Sequence, residues 1–326
     1  MTTLNASLFQ NMSFVHPEYF YINGFTGIPL SKFYFVFLFM TYIIAVFGNS
    51  FVLFVILTDR SLHTPKYIGI FNLALADFGE TNALIPNLMK TFLFDSQYIS
   101  YNACLANMFF VFFFSNVQAL ILVVLAYDRF IAICSPLRYH AIMNNFSMLA
   151  ASMGVWSFSI VLIGTTVALI TRLSFCKTNE VKSYFCDHGP IYTIACNDNT
   201  INSVMAKLCS VLFIYAPLVI ITVSYLGIFL AVSKITTWDG RIKSLKTCVS
   251  HLIIVGISFL PVISTYISAL IFTLHPNTRI ISTSLSSAIP PMVNPIIYVL
   301  NTNEFKDFLL KTLKNRLNIK VRVLAK

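Results

Sequence analysis

Apolar positions along this chain are gathered into long runs separated by short polar stretches. The runs cover residues 33–57, 68–94, 107–134, 148–171, 204–232, 252–274 and 280–300. Each meets or nearly meets the roughly twenty residues that a helix needs to cross a hydrocarbon core. None has the two-residue alternation of a barrel strand, and a spanning segment must satisfy its backbone internally, so helices are predicted. The pattern predicts an all-α membrane protein, a seven-transmembrane helix bundle over residues 32–301. Beyond it, Phe305, Phe308, Leu309 and Leu313 share one helical face and Lys306, Lys311 and Lys314 fall elsewhere. That spacing predicts a short amphipathic helix lying on the membrane surface within residues 302–326.

Composition closes off the alternative of a soluble chain. Hydrophobic residues make up 57% and charged residues only 10% of the 326 positions, too apolar for water to be the only solvent. The net charge of +10 acquires meaning from its placement. Arg60, Lys66, Arg129, Arg138, Lys234, Arg241, Lys243, Lys246 and most of the basic tail lie after odd-numbered spans, which orients the N-terminus outside and the C-terminus in the cytoplasm. The basic excess reads as topology and contact with membrane lipids, with no call for nucleic acid. Residues 1–31 show no basic region followed by an apolar one, so the first span does the targeting. Asn5-Ala-Ser and Asn11-Met-Ser are glycosylation sequons that suit an extracellular N-terminus; a third, at Asn145, falls on the cytoplasmic side.

Cys104, Cys176, Cys186 and Cys196 fall on the oxidising side, where they can form disulfides in any of three pairings. No C-x-x-C pair suggests a metal site. A bridge from Cys104 would draw the long loop between spans four and five over the bundle mouth as a lid.

The third span ends in adjacent charges, Asp128-Arg129, with Pro136 stopping the helix seven residues after the arginine. The pair reads either as a switch, whose Arg fork can leave Asp128 for a partner's carbonyls, or as an interfacial anchor. Deeper in the bundle lie Asn49, Asp77, Glu80, Gln118, Asn294, Pro295 and Tyr298. Asp77 and Glu80, three apart, share a face and can hold a sodium ion or a proton; neutral packed carboxyls are the plainer alternative. Pro261 and Pro295 can kink their helices and act as hinges. A cavity lined by Val111, Phe112, Ser115, Asn116, Cys209, Phe213, Ile263, Tyr266 and Ser287 would suit a small, mostly apolar ligand. The upper part of span three has no acid, which argues against an ammonium ligand. Paired halves, the mark of many transporters, are not visible, and no catalytic or cofactor-binding cluster is found in the spans.

Five motifs in order bring a family into view: Ser61-Leu-His-Thr-Pro-Lys-Tyr67, Leu125-Ala-Tyr-Asp-Arg-Phe-Ile-Ala-Ile-Cys-Ser-Pro-Leu-Arg-Tyr139, the loop from Cys176 through Cys186 to Cys196, Lys243-Ser-Leu-Lys-Thr-Cys-Val-Ser-His251, and Pro291-Met-Val-Asn-Pro-Ile-Ile-Tyr298. With these the chain resembles an olfactory (odorant) receptor of the rhodopsin-like G-protein-coupled class. The stretch from Phe259 to Val262 is similar to the fish-like division of that family. The resemblance implies a small-molecule odorant in the extracellular half, outward movement of helix six, and coupling to a stimulatory olfactory-type heterotrimeric G protein that raises cyclic AMP. A chemosensory receptor for a pheromone or peptide is the neighbouring alternative, and a small-solute transporter the one from another class. By the same likeness Asp128-Arg129 is the switch, Tyr225 and Tyr298 hold the active arrangement, and the disulfides are Cys104–Cys186 and Cys176–Cys196. The chain departs from the family at Phe130, Leu125 and Gln118, the last standing where an acid is common. Glu80 is then predicted to supply the missing carboxylate.

Overall fold

A computed structural model describes residues 15–25, 31–94, 96–271, 276–301, 304, 305 and 308; for a few helical residues, Tyr266 among them, only the backbone is described. Seven long helices account for most of the described chain: α1 (Ser31–Thr58), α2 (Pro65–Leu93), α3 (Tyr101–Cys134), α4 (Asn145–Ile170), α5 (Thr200–Ser233), α6 (Trp238–Ile271) and α7 (Pro276–Asn301). Six contain stretches long and apolar enough to cross a membrane; α2, interrupted by Asn72, Asp77, Glu80 and Asn82, is the exception. The helices outrun the apolar runs: α3 begins at Tyr101 and α6 at Trp238, because helix continues through polar interfacial turns that hydropathy does not register. Burial is inverted relative to a water-soluble protein. Phe47 is 70% and Phe229 67% exposed, whereas Asn49, Asp77 and Asp128 are completely buried. An apolar exterior around polar interior groups suits a lipid solvent.

Local chemistry sets the helix ends. Pro65 opens α2, where its missing N–H is no loss, and Ser135 and Pro136 end α3 as predicted. Asn144 and Ser147 form a reciprocal cap on α4, each side chain bonding the other's backbone N–H at 2.9 and 3.0 Å. That cap uses the hydroxyl of the third sequon, and the Asn145 amide donates to the His63 carbonyl at 2.9 Å.

Prolines shape the interior. Pro217 has no N–H to offer Phe213, and the turn before it widens to a π turn over Val211–Tyr215. Pro295 likewise frees the Pro291 carbonyl, and Asn49 of α1 fills the gap, its Nδ2 donating there at 2.8 Å and to Ala45 at 2.9 Å. α1 comes this close because residue 48 is glycine: a Cβ there would meet Pro295 Cγ at 2.7 Å.

At the end of the bundle where α3 begins, a three-stranded sheet forms in the order β2-β1-β3. β1 (Tyr19–Ile22) runs antiparallel to β2 (Tyr98–Ser100), Phe20 opposite Ile99, and parallel to β3 (Glu180–Val181), Ile22 opposite Val181. No element is predicted for this N-terminal stretch; its strand is stabilised by partners remote in sequence. Cys104 is paired with Cys186 and Cys176 with Cys196, so the loop after α4 lies across the bundle mouth. At the opposite end Phe305 is fully buried with its ring 6.1 Å from that of Tyr67, and Phe308 lies 6.4 Å from Phe54. These two residues take the packed face predicted for the amphipathic helix; Leu309, Leu313 and the lysines lie outside the described residues, as do Asn5 and Asn11.

Candidate functional site

Beneath the disulfide-tethered loop is a cavity of about 560 Å³. α3 contributes Val111, Phe112, Ser115 and Asn116; α5 contributes Cys209 and Phe213; α7 contributes Ser287. Seven of the nine residues predicted for a cavity thus face one space. Ile263 does not: Val262, one position earlier on α6, lines the cavity, while Ile263 packs against the apolar core. A step of one residue turns about 100° around a helix, and hydropathy does not set that rotation. The side chain of Tyr266 lies outside the described residues.

The sequence predicts the loop as a lid over the mouth, but not which of its residues line the cavity, nor which residues form the floor. The roof is Tyr184, Phe185, Asp187 and His188, all beside Cys186, so the cysteine that tethers the loop was the signal for them. Burial pushes the Asp187 carboxyl above its ordinary range, partly offset by the Arg279 guanidinium. Burial also lowers His188 to about 4, keeping the ring neutral, and His188 stands 5.1 Å from the Tyr192 ring. The floor is formed by Phe259, Gln118 and Glu80.

Asp77 and Glu80 share a helix face, as their spacing predicts, but turn to different partners. Asp77 accepts from Asn294 Nδ2 of α7 at 2.8 Å. Glu80 accepts from two groups of α3, Ser115 Oγ at 2.6 Å and Gln118 Nε2 at 2.5 Å. Gln118 therefore binds the carboxylate that it lacks. The buried acceptors Asp77 Oδ1 and Asn294 Oδ1, on side chains bonded to each other, have no hydrogen-bond partner among the described residues. Such a set of oxygens fits a proton or a sodium ion at Asp77.

The opposite end of α3 carries the predicted switch residues. Arg129 Nη2 is 2.9 Å from Asp128 Oδ2, and the Tyr139 hydroxyl donates to Asp128 Oδ1 at 2.8 Å. Both Asp128 oxygens are thus engaged by positive or donor groups. Desolvation, reinforced by the Asp128 charge, raises the Tyr139 phenol. Tyr225 of α5 hydrogen-bonds His251 Nδ1 of α6 at 2.8 Å, with the two rings stacked. Tyr298 of α7 is buried, and its hydroxyl has no partner among the described residues.

A seven-helix bundle with a loop tethered to the start of its third helix, and an Asp-Arg pair at that helix's other end, has the architecture of a rhodopsin-like receptor. The crystal structure of squid rhodopsin is similar in fold, with a TM-score of 0.72 at 18% identity, over 90% of this chain and 88% of that one. The olfactory receptor family profile matches residues 37–316. Human Olfactory receptor 1M1 is 35% identical over 281 residues, 86% of this chain and 89% of that protein. Human Olfactory receptor 51E2 is 32% identical over 309 residues, 93% of this chain and 95% of its own length. The chain belongs to the olfactory receptor family, and so to the multi-pass G-protein-coupled receptors of the plasma membrane, which are signalling proteins and not enzymes.

Proposed function

We propose that this receptor is activated by a small organic odorant bound in the cavity beneath the loop, and that it signals through a stimulatory olfactory-type G protein to raise cyclic AMP. In this reading residues 1–31, glycosylated at Asn5 and Asn11, lie outside the cell, and residues 302–326 lie in the cytoplasm. The observation that carries it is the placement of α6. This helix lines the cavity with Phe259 and Val262, and two to three turns away it bonds α5 through His251 and Tyr225. Pro261 stands at the cavity level between Phe259 and Val262 and leaves the Ile257 carbonyl without its internal bond, a hinge on the cavity side of His251. A ligand that fits better when α6 swings outward shifts the population toward that state. The swing parts His251 from Tyr225 and opens the Arg129 end, where Arg129 can exchange Asp128 for carbonyls of the G protein.

The test is cyclic-AMP production in cells carrying the receptor and an olfactory-type G protein, against small acids, alcohols, aldehydes and amines, with Arg129→Ala as control. A response confined to one chemical group and absent from surface-expressed Arg129→Ala is expected. Silence from the unmutated receptor at the surface would sink the proposal.

A further inference from the structure

The geometry points to Glu80 as the anchor for a protonated amine, which makes small amines with an apolar body the ligand class of this cavity; the inference rests on the odorant-receptor reading above. Glu80 is only 2% exposed, yet its side chain lines the cavity. Its carboxyl is held by neutral donors, Ser115 and Gln118, with Ser287 against the same group. No cation among the described residues pairs with it. Asp77, one helical turn deeper, adds a second acid nearby and bonds a neutral partner too. Two neighbouring carboxyls in a low-dielectric interior, served only by neutral donors, favour a monovalent cation.

Hydrocarbon around the carboxyl selects the kind of cation. Val111, Phe112, Phe213, Phe259 and Ile280 make up much of the wall, a surface that rewards an organic body and not a hydrated ion. The side chains of Ser115 and Asn116 lie in the same lining and give a primary ammonium further oxygen acceptors. At the mouth the charges offset: Asp187 stands against Arg279, and Lys207 is exposed. α3 has no acid at this level, which is why the sequence argued against an ammonium ligand; the acid comes from α2.

The experiment compares n-hexylamine, cyclohexylamine and 2-phenylethylamine with their matched alcohols in the cyclic-AMP assay, on the unmutated receptor, Glu80→Gln and Glu80→Asp, each with surface staining. Amines should be the stronger agonists on the unmutated receptor. Losing one partner of a buried charge pair should raise their half-maximal concentration about thirtyfold or more in Glu80→Gln. The alcohols should change little, and Glu80→Asp should recover part of the amine response. A merely structural Glu80 would shift amines and alcohols together, and that result overturns the inference. A receptor that answers alcohols or acids but not amines overturns it while leaving the odorant reading intact; silence to every class at normal surface levels overturns both. Should Glu80→Gln fail to reach the surface, raising the bath pH through the amine's own pKa decides. Potency that falls as the amine loses its proton supports the anchor, and potency that does not move overturns it.

Discussion

The Tyr139 hydroxyl, in the short helix after α3, donates to the Asp128 carboxylate at 2.8 Å and shares that carboxylate with Arg129. The tyrosine thereby steadies the ion pair that keeps Arg129 on its own helix. A hydrogen bond to a charged group contributes about 1.5–3 kcal/mol, less where partly exposed. Tyr139→Phe should therefore raise ligand-independent cyclic AMP several-fold or less at matched surface expression. Basal signalling equal to the unmutated receptor's would show that the phenol does not restrain the switch.

Gly48 makes a second prediction. Its missing Cβ leaves room for the Pro295 ring, so Gly48→Ala overpacks the α1–α7 contact at a cost of about 1–3 kcal/mol. Gly154 in α4 has nothing within 4 Å of the equivalent position, and alanine there relieves the glycine's helix cost of about 1 kcal/mol. Thermal unfolding in detergent should place Gly48→Ala below and Gly154→Ala at or above the unmutated receptor. The reverse order would discredit the packing account.

The loop roof should be sensitive to acid. His188 is 5% exposed and lowered by burial to about 4 from an ordinary 6.5. Above 6.5 the ring is neutral in folded and unfolded loop alike, and the stability it permits is fully present. As pH falls from 6.5 toward 4 the unfolded loop takes a proton that the folded loop resists, so stability is lost, by about 3 kcal/mol at most. Asp187 acts in the opposite sense: its raised carboxyl accepts a proton in the folded loop before the unfolded one would, returning some stability on further acidification. Hydrogen-exchange protection factors across residues 180–193, taken relative to the intrinsic exchange rate at each pH, should fall between neutral pH and about pH 5, and His188→Asn should flatten that slope. An unchanged slope in the variant would assign the acid sensitivity elsewhere.

Asp77 is expected to couple the bundle interior to cations. Its Oδ1 has no hydrogen-bond partner among the described residues, whereas both Glu80 oxygens are engaged. Asp77→Asn should abolish any dependence of basal signalling on external sodium or pH. A dependence that survives in Asp77→Asn and vanishes in Glu80→Gln would move the cation site to Glu80.

Much of this architecture was legible from residues alone, for identifiable reasons. Seven apolar runs, Pro136 after α3 and the basic side of the chain depend on local composition, which a sequence carries openly. Other features depend on rotation or on remote partners. Nothing near Glu80 tells that it turns toward α3 while Asp77 turns toward α7. Val262 and Ile263 are equally apolar, and only packing decides which meets the cavity. The π turn had a visible cause in Pro217, but its consequence for Phe213 appears only in three dimensions. β1 was hidden because Tyr19–Ile22 is short and its partners lie in loops far along the chain.

That last separation bears on how the receptor is made. β1 is synthesised before any of the helices, yet Asn23 bonds Glu180, 157 residues later, at 2.6 Å. Until α4 has been completed, the first strand to leave the ribosome keeps an unpaired edge, the kind of surface that attracts foreign strands and chaperones. The sheet is therefore a closing seam. It is begun before α1 and fastened only once the loop after α4 has been made, and a chain halted before Glu180 keeps one edge of β1 open.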